Sequence, residues 1–516
     1  AGLVEWPVPL LGDIDADFMA LPGEALTSSM RAHQKYFSLL NGDGTLAPRF
    51  GFVANMAAAD GGAAIIAGNE RVLRARLSDA KFFWDRDREF TLKERLPALD
   101  AIVFHAKLGT VAEKVYRITA LATDLVDNIP GAERAAVRSA ATLCKADLVT
   151  GMVAEFPDLQ GVMGRYYALG EGEALEVADA IAEHYSPRGP NDACPTAPVS
   201  VAVAMADKID TLVGFWAIDE KPTGSGDPFA LRRAALGLIR LIMEGELRLD
   251  LTRVFLSSYT SYLRDMDRSV VLYNKNGFDN PQHKLIIAKA HTLFLENKYD
   301  QVLIGKSRNI TGPGSEIDYV DSDFISKFRP HDVVISELSN FIVERLKILL
   351  REHDISHDVI SAVFAEKRTE LDYSGSFDLN RIIKRARALK RFLSTGDGEN
   401  LLVAYRRAAN ILRVEEKKDG TIYQPGLYND QMSEGDELAL SIALEDVSDK
   451  AIPLISAENF HEGMDCLSKL RLPVDKFFEN VTVNAKAHDL RKNRLQLLAK
   501  IKWTMELVAD FSQIEG

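Results

Sequence analysis

LPVDKFFENVTVNAKAHDLRKNRLQLL (472–498), with AYRRAANIL (404–412) about sixty residues upstream, carries most of what this chain reveals about itself. Each stretch is amphipathic, and Arg406, Arg407, Arg491, Lys492 and Arg494 stand among its apolar positions. Pro473-Val474-Asp475 reads as a helix start, with Phe477 and Phe478 packing into a core, and Asn493 has the groups to read a base edge. Just upstream, Arg381, Lys384, Arg385, Arg387, Lys390, Arg391, Arg406, Arg407 and Arg413 are opposed only by Asp397 and Glu399. Ile382, Ala386, Leu389 and Leu393 recur at helical spacing and predict one buried stripe, leaving the basic residues on the remaining face. With acids nearly absent, i→i+4 pairing cannot absorb that charge, so the face suits phosphates. The plain alternative is a solvated helix surface.

Composition limits the rest. A chain of 516 residues holds two to four domains, and 47% hydrophobic with 27% charged residues is the balance of a soluble globular protein. No apolar run approaches the roughly 18 residues of a membrane helix. The opening AGLVEWPVPLLGD has no basic n-region and no signal-peptide h-region, and it starts without Met, so the numbering is expected to begin inside a longer protein. Cys144, Cys194 and Cys466 are far apart, which argues against a zinc site and for a reducing cytoplasm. A net charge of −13 excludes a global positive field, so any RNA contact must be local.

Along the chain, residues 1–65 read as β-containing, with a hairpin predicted over FSLLNGDGTLAPRFGFVANM around the turn Asn41–Gly44. Residues 66–245 read as helical: one helix from about Ala63, further helices from Val103, and breaks at 129–131, 156–157 and 187–198. KPTGSGDP (221–228) precedes a helix that Asp227 can cap, with Pro228 at its first position; Arg232 and Arg233 there are further candidates for RNA backbone. Residues 246–330 read as a linker or insertion, weakest in periodicity over 258–330, and 331–516 as helical again.

Taken in order, the two C-terminal stretches resemble the helical anticodon-binding domain of some aminoacyl-tRNA synthetases. TSSMRAHQKYFSLL (27–40), AGNERVLRARLSDAKFFWDRD (67–87), FHAKLGT (104–110), KADLVTGMVAEFPDLQGVMGRYYA (145–168), ADKIDTLVGFWAI (206–218) and KPTGSGDPFALRRAALG (221–237) extend the likeness. Together they are similar to the β subunit of the bacterial heterotetrameric glycyl-tRNA synthetase, without the N-terminal region that family carries before HQKYF. The resemblance implies a mainly α, multidomain fold: a small β-containing N-terminal part, a degenerate HD-type helical domain and a C-terminal helical anticodon-binding domain. It implies tRNA(Gly) and an α subunit as partners, in an α2β2 assembly in the cytoplasm. ATP and Mg belong to the class II core on α, and no cofactor or catalytic residue belongs to this chain.

By the same resemblance, the HD metal positions fall on His105, Ala146, Asp147 and Asp207. Alanine replaces one ligand, so no metal is expected there, although Glu155 and Asp158 lie close enough in sequence to compensate. His33, Gln34, Lys35 and Tyr36 carry groups suited to RNA or a protein partner, or alternatively form a strand of alternating exposure. Two competing functions stay open: a free-standing metal-dependent HD phosphohydrolase, and a structural partner of α without RNA contact.

Overall fold

The computed structural model describes residues 4–273, 328–365, 377–426, 432 and 435–515. They form two compact units: residues 1–245 with 253–338, and residues 246–252 with 339–516.

In the first unit, Val8–Asp13 (β1), Phe37–Leu40 (β2) and Leu46–Ala54 (β3) make an antiparallel sheet in the order β1-β3-β2. The predicted hairpin is present. Asn41 N–H donates to Thr45 O at 2.8 Å and Gly44 takes φ +85°, which closes the turn. Tyr36, Phe50 and Phe52 pack ring to ring with centroids 4.7 to 5.7 Å apart, on the side covered by Gly23–Gln34 (α1) and Ala63–Asp87 (α2).

The helices that follow are Leu92–Arg95 (α3), Val111–Leu125 (α4), Arg134–Leu143 (α5), Gly151–Glu155 (α6), Val162–Gly170 (α7), Leu175–Glu183 (α8), Pro198–Ala217 (α9) and Leu231–Glu244 (α10). Val103 does not begin a helix. Val103–His105 (β4) pairs with Gly109–Thr110 (β5), and the helix starts only where Thr110 and Glu113 form a capping box. α9 organises the bundle. It is apolar nearly all round and buried on every side, packed by α4, α5, α8 and α10, as a helix without a polar face must be. Gly214 is required within it, because a Cβ there would lie 2.2 Å from the Tyr262 hydroxyl.

α9 also carries charge into this core. Arg117 Nε sits 2.8 Å from Asp210 Oδ1 and Lys114 Nζ 3.1 Å from Oδ2, with all three side chains at most 5% exposed. The Arg117 guanidinium lies 4.0 Å from the Tyr262 ring, whose hydroxyl donates to the Asp210 carbonyl. Two cations share this carboxylate, and removing it takes a buried charge partner from each, although Lys114 keeps Asp207 Oδ1 at 3.3 Å.

Leu251–Tyr273 (α11) and His331–Glu352 (α12) contain the unit boundaries. The reading of 258–330 as an insertion falls mostly on residues outside those described; 258–273 continue α11.

The second unit contains His357–Phe364 (α13), Leu379–Leu393 (α14), Gly396–Asp419 (α15), Gly435–Ser456 (α16), Phe460–Ser468 (α17), Arg471–Asn480 (α18) and His488–Met505 (α19). α15 packs on α19 and α18, while α17 packs on α14 and α16. Phe477 and Phe478 are buried as expected. The stripe of α14 is rotated from the expected one: Ile383, Ala386, Leu389 and Phe392 are buried, whereas Ile382 and Leu393 are only half-buried. α10 begins three residues later than Pro228. Asp227 still caps it, its carboxylate accepting from the Leu231 and Arg232 N–H groups at 2.8 and 3.0 Å.

Asp210→Ala is expected to cost about 3–5 kcal/mol by removing the buried carboxylate that Lys114 and Arg117 share. A urea midpoint within error of the wild type would refute this account of the core.

Candidate functional site

The HD-type positions do not assemble a metal centre. Asp207 is flanked by Lys114 Nζ at 3.3 Å and Lys145 Nζ at 3.2 Å, so two ammonium groups stand where a cation would. Burial alone would raise the Asp207 pKa, but those lysines hold it below the usual carboxylate range. Asp147 is fully buried, and its Oδ2 accepts from the Gly161 and Gly164 N–H groups at 2.5 and 3.1 Å. Burial raises its pKa to about 6 against those hydrogen bonds and Lys145. Ala146 is fully buried. His105 points elsewhere: its Nε2 lies 3.2 Å from Glu220 Oε2, and its ring meets Phe215 and Phe229 edge-on. Asp158 accepts from the Ser28 hydroxyl at 2.9 Å, and Glu155 is exposed. Among the described residues no group of three or more His, Cys, Asp or Glu is arranged to hold a metal ion.

His184 and Lys208 complete this cluster. His184 is fully buried with Nδ1 2.7 Å from Ile181 O, which puts the proton on Nδ1; burial, then Lys145, keeps the ring neutral. Lys208 donates to the Tyr185 and Ser186 carbonyls, and burial pushes its pKa down to about 8. Sequence reasoning missed these residues and Lys114, Arg117 and Asp210. A signal existed, since Lys114 falls in register with Val111, Val115, Ile118 and Leu121 on the apolar stripe of α4.

In the second unit burial and pairing together sort the predicted cations into two sets. Arg494 is enclosed, its Nη2 3.2 Å from buried Glu437 and its Nη1 donating to Thr482 O. Arg385 is buried over the Phe460 ring, 5.5 Å from its centroid, and burial drives its pKa to about 10. Neither guanidinium can reach a phosphate, because the rotated stripe of α14 and the inner face of α19 turn them inward. Asn493 is also buried, 3.4 Å from Glu437, and reads no base. Arg491 is pinned by Glu415 and, at 2.7 Å, Asp419; those hydrogen bonds raise its pKa. Arg406 donates to Ile514 O at 2.6 Å and Arg381 Nε is 3.9 Å from Glu458, while Arg407 is exposed but lies over the Phe478 ring at 4.4 Å.

The other set is unpaired and turned to solvent. Arg387, Lys390 and Arg391 are exposed at i, i+3 and i+4 of α14, and Lys384 is half-exposed one turn earlier. Lys492 is exposed on α19. Among the described residues none of these five side chains has an ion pair or hydrogen bond. In the first unit, Arg232 is drawn into its own loop, donating to Gly224 O at 2.6 Å, while Arg233 is exposed.

The His33–Tyr36 stretch is not a strand of alternating exposure. His33 and Gln34 end α1, and Lys35 is its exposed left-handed cap at φ +56°. Tyr36 is buried against Phe50 and donates its hydroxyl to Asn69 Oδ1, so it cannot contact RNA or a partner.

Two known families account for nearly the whole chain. Residues 401–512, within the second unit, match the DALR anticodon binding domain. Residues 1–365 match the family described as glycyl-tRNA synthetase beta subunit. The chain belongs to that family. It is 48% identical to the glycine–tRNA ligase beta subunit of Rhodospirillum centenum, over 100% of this chain and 63% of that protein. It is 44% identical to those of Dinoroseobacter shibae and Phenylobacterium zucineum, over 66% and 64% of their lengths. The chain therefore spans about 63 to 66% of these relatives. No helix among the described residues is long and apolar enough to cross a membrane.

The buried Asp147 predicts a pH effect. Its folded pKa of about 6 lies above the ordinary carboxylate value, so its contribution to stability is full below about pH 4 and is lost as pH rises through 6. Asp147→Asn keeps an acceptor for Gly161 and Gly164 without the ionisation. Urea unfolding of the variant, referred to wild type, should therefore improve by about 2–3 kcal/mol between pH 4 and 7. A difference constant across that range would contradict the assignment.

Proposed function

We propose that this chain is the tRNA-gripping part of a glycine–tRNA ligase. The assembled enzyme converts ATP, glycine and tRNA to glycyl-tRNA, AMP and pyrophosphate in the cytoplasm. A separate α subunit carries the catalytic core with ATP and Mg, in an α2β2 assembly, and this chain holds tRNA(Gly). Membership of the beta-subunit family and the DALR match support the reading.

The observation that carries it is local. In a chain of net charge −13, Arg387, Lys390 and Arg391 share one exposed face of α14 with no acidic partner among the described residues. Three unneutralised cations so close together repel one another, an arrangement relieved when phosphates bind. Lys384 extends the row. The phosphohydrolase reading has no such support, since Lys114 and Lys145 hold the Asp207 carboxylate.

Arg387→Glu with Lys390→Glu should weaken tRNA(Gly) binding about tenfold or more and flatten the log–log salt dependence by roughly two units, one per lost phosphate contact. Fluorescence anisotropy across a salt series measures both. Unchanged affinity and slope would leave only a structural partnership with α. A second expectation concerns assembly: the chain co-purifies with the α subunit and forms no glycyl-tRNA without it. Glycylation by this chain alone would overturn the division of labour.

A further inference from the structure

Beside the basic face of α14, in the same unit, lies a cavity of about 140 Å³ between α14, the start of α15 and α17. Its floor is apolar and buried: Ala388, Phe392 and Met464. Its rim is polar: Arg391, Asp397, His461 and Asp465. The rim groups differ in how far they are satisfied. Asp397 is held by Arg471, and the Thr395 and Ser468 hydroxyls donate to the Phe392 and Asp465 carbonyls. The side chains of Arg391, His461 and Asp465 are exposed and have no hydrogen bond or ion pair among the described residues.

An apolar floor with an open acceptor, an open donor and an exposed imidazole fits a flat, polar-edged ring. Unpaired RNA bases are bound in this way, by stacking on aromatic side chains and by hydrogen bonds at their edges. The size is that of a single ring system rather than a peptide segment. Arg391 belongs both to this rim and to the face with Arg387 and Lys390, so a backbone tracked along α14 arrives with its bases at the cavity.

We propose that this cavity takes one unpaired base of the bound tRNA, and specifically a base with an exocyclic amine. Asp465 is an acceptor-only carboxylate, so it receives the exocyclic N–H of cytosine, adenine or guanine, whereas the one N–H of uracil is flanked by two carbonyls that the carboxylate repels. His461 stacks on the ring. The proposal rests on the reading of unit 2 as the tRNA-binding surface.

The test uses the full chain and a fluorescent hairpin with the anticodon stem and loop of tRNA(Gly). Each loop base is replaced in turn by uracil, or by cytosine where uracil already stands. The wild type is expected to lose about tenfold in affinity at one loop position. Asp465→Asn should abolish that discrimination while keeping the salt slope, and His461→Ala should weaken binding for every base there. Both side chains are exposed, so thermal melts should match the wild type. Three outcomes overturn the proposal differently. If the wild type does not bind the hairpin, the RNA reading of unit 2 fails and the cavity with it. If it binds with a salt slope but both variants behave as wild type, or no loop position discriminates, the base pocket alone fails. If the variants lose the α subunit while keeping RNA affinity, the cavity docks protein.

Discussion

A charge removed from water must meet its opposite, and Asp210 in the middle of α9 is where this protein most depends on that rule. The helix is otherwise nearly all apolar, so α4 can lie against it only if Lys114 and Arg117 find a carboxylate there. Tyr262 closes the cluster from α11. The same bundle brings Lys145, Lys208 and His184 to Asp207, one helical turn earlier, with the histidine neutral among the lysines. A region that resembles a metal-binding domain thus neutralises its acids with side chains. Its ion pairs are structural, and its cations are permanent members of the core.

The second unit follows the same rule from the opposite direction. Arg385 and Arg494 are taken inside, one over Phe460 and the other onto Glu437. Arg491 is bracketed by two carboxylates of α15. What remains exposed and unpaired among the described predicted cations is narrower than the run of basic residues and more coherent: one face of α14, with Lys492 on α19. A surface that has shed its acids inside an acidic chain keeps a local field, screened beyond about 10 Å at moderate salt. That range suits contact with a polyanion already docked, and it matches the apolar-floored cavity alongside. Phosphate contacts position a nucleic acid, whereas base contacts select it; α14 carries the unpaired cations and also lines the cavity.

Much of this was legible without coordinates. The hairpin announced itself through Asn41–Gly44, the cap of α10 through Asp227, and the core role of Phe477 and Phe478 through their place behind a helix start. The long shared strings carried the family, because they preserve order as well as type. The errors were of one kind, a residue's rotation about its helix or its displacement along the chain. Taking Ile382 and Leu393 into the buried stripe left Arg385 outside. Reading His33–Tyr36 as either a contact surface or a strand of alternating exposure missed that Tyr36 is buried. Taking Val103 as helical overlooked a two-stranded ribbon held by only a few residues.

The linear order of residues determined the helical character, the place of the turns and the concentration of positive charge near α14, because these follow from local spacing and composition. It could not determine which of those charges face water. A shift of one position turns a helix by about 100°, and the choice between neighbouring stripes is made by what packs opposite: Phe460 against α14, Glu437 against α19, α9 against α4. Only the folded arrangement, which weighs the desolvation of each cation against the partner waiting for it, decided which arginines hold the protein together and which are left to hold something else.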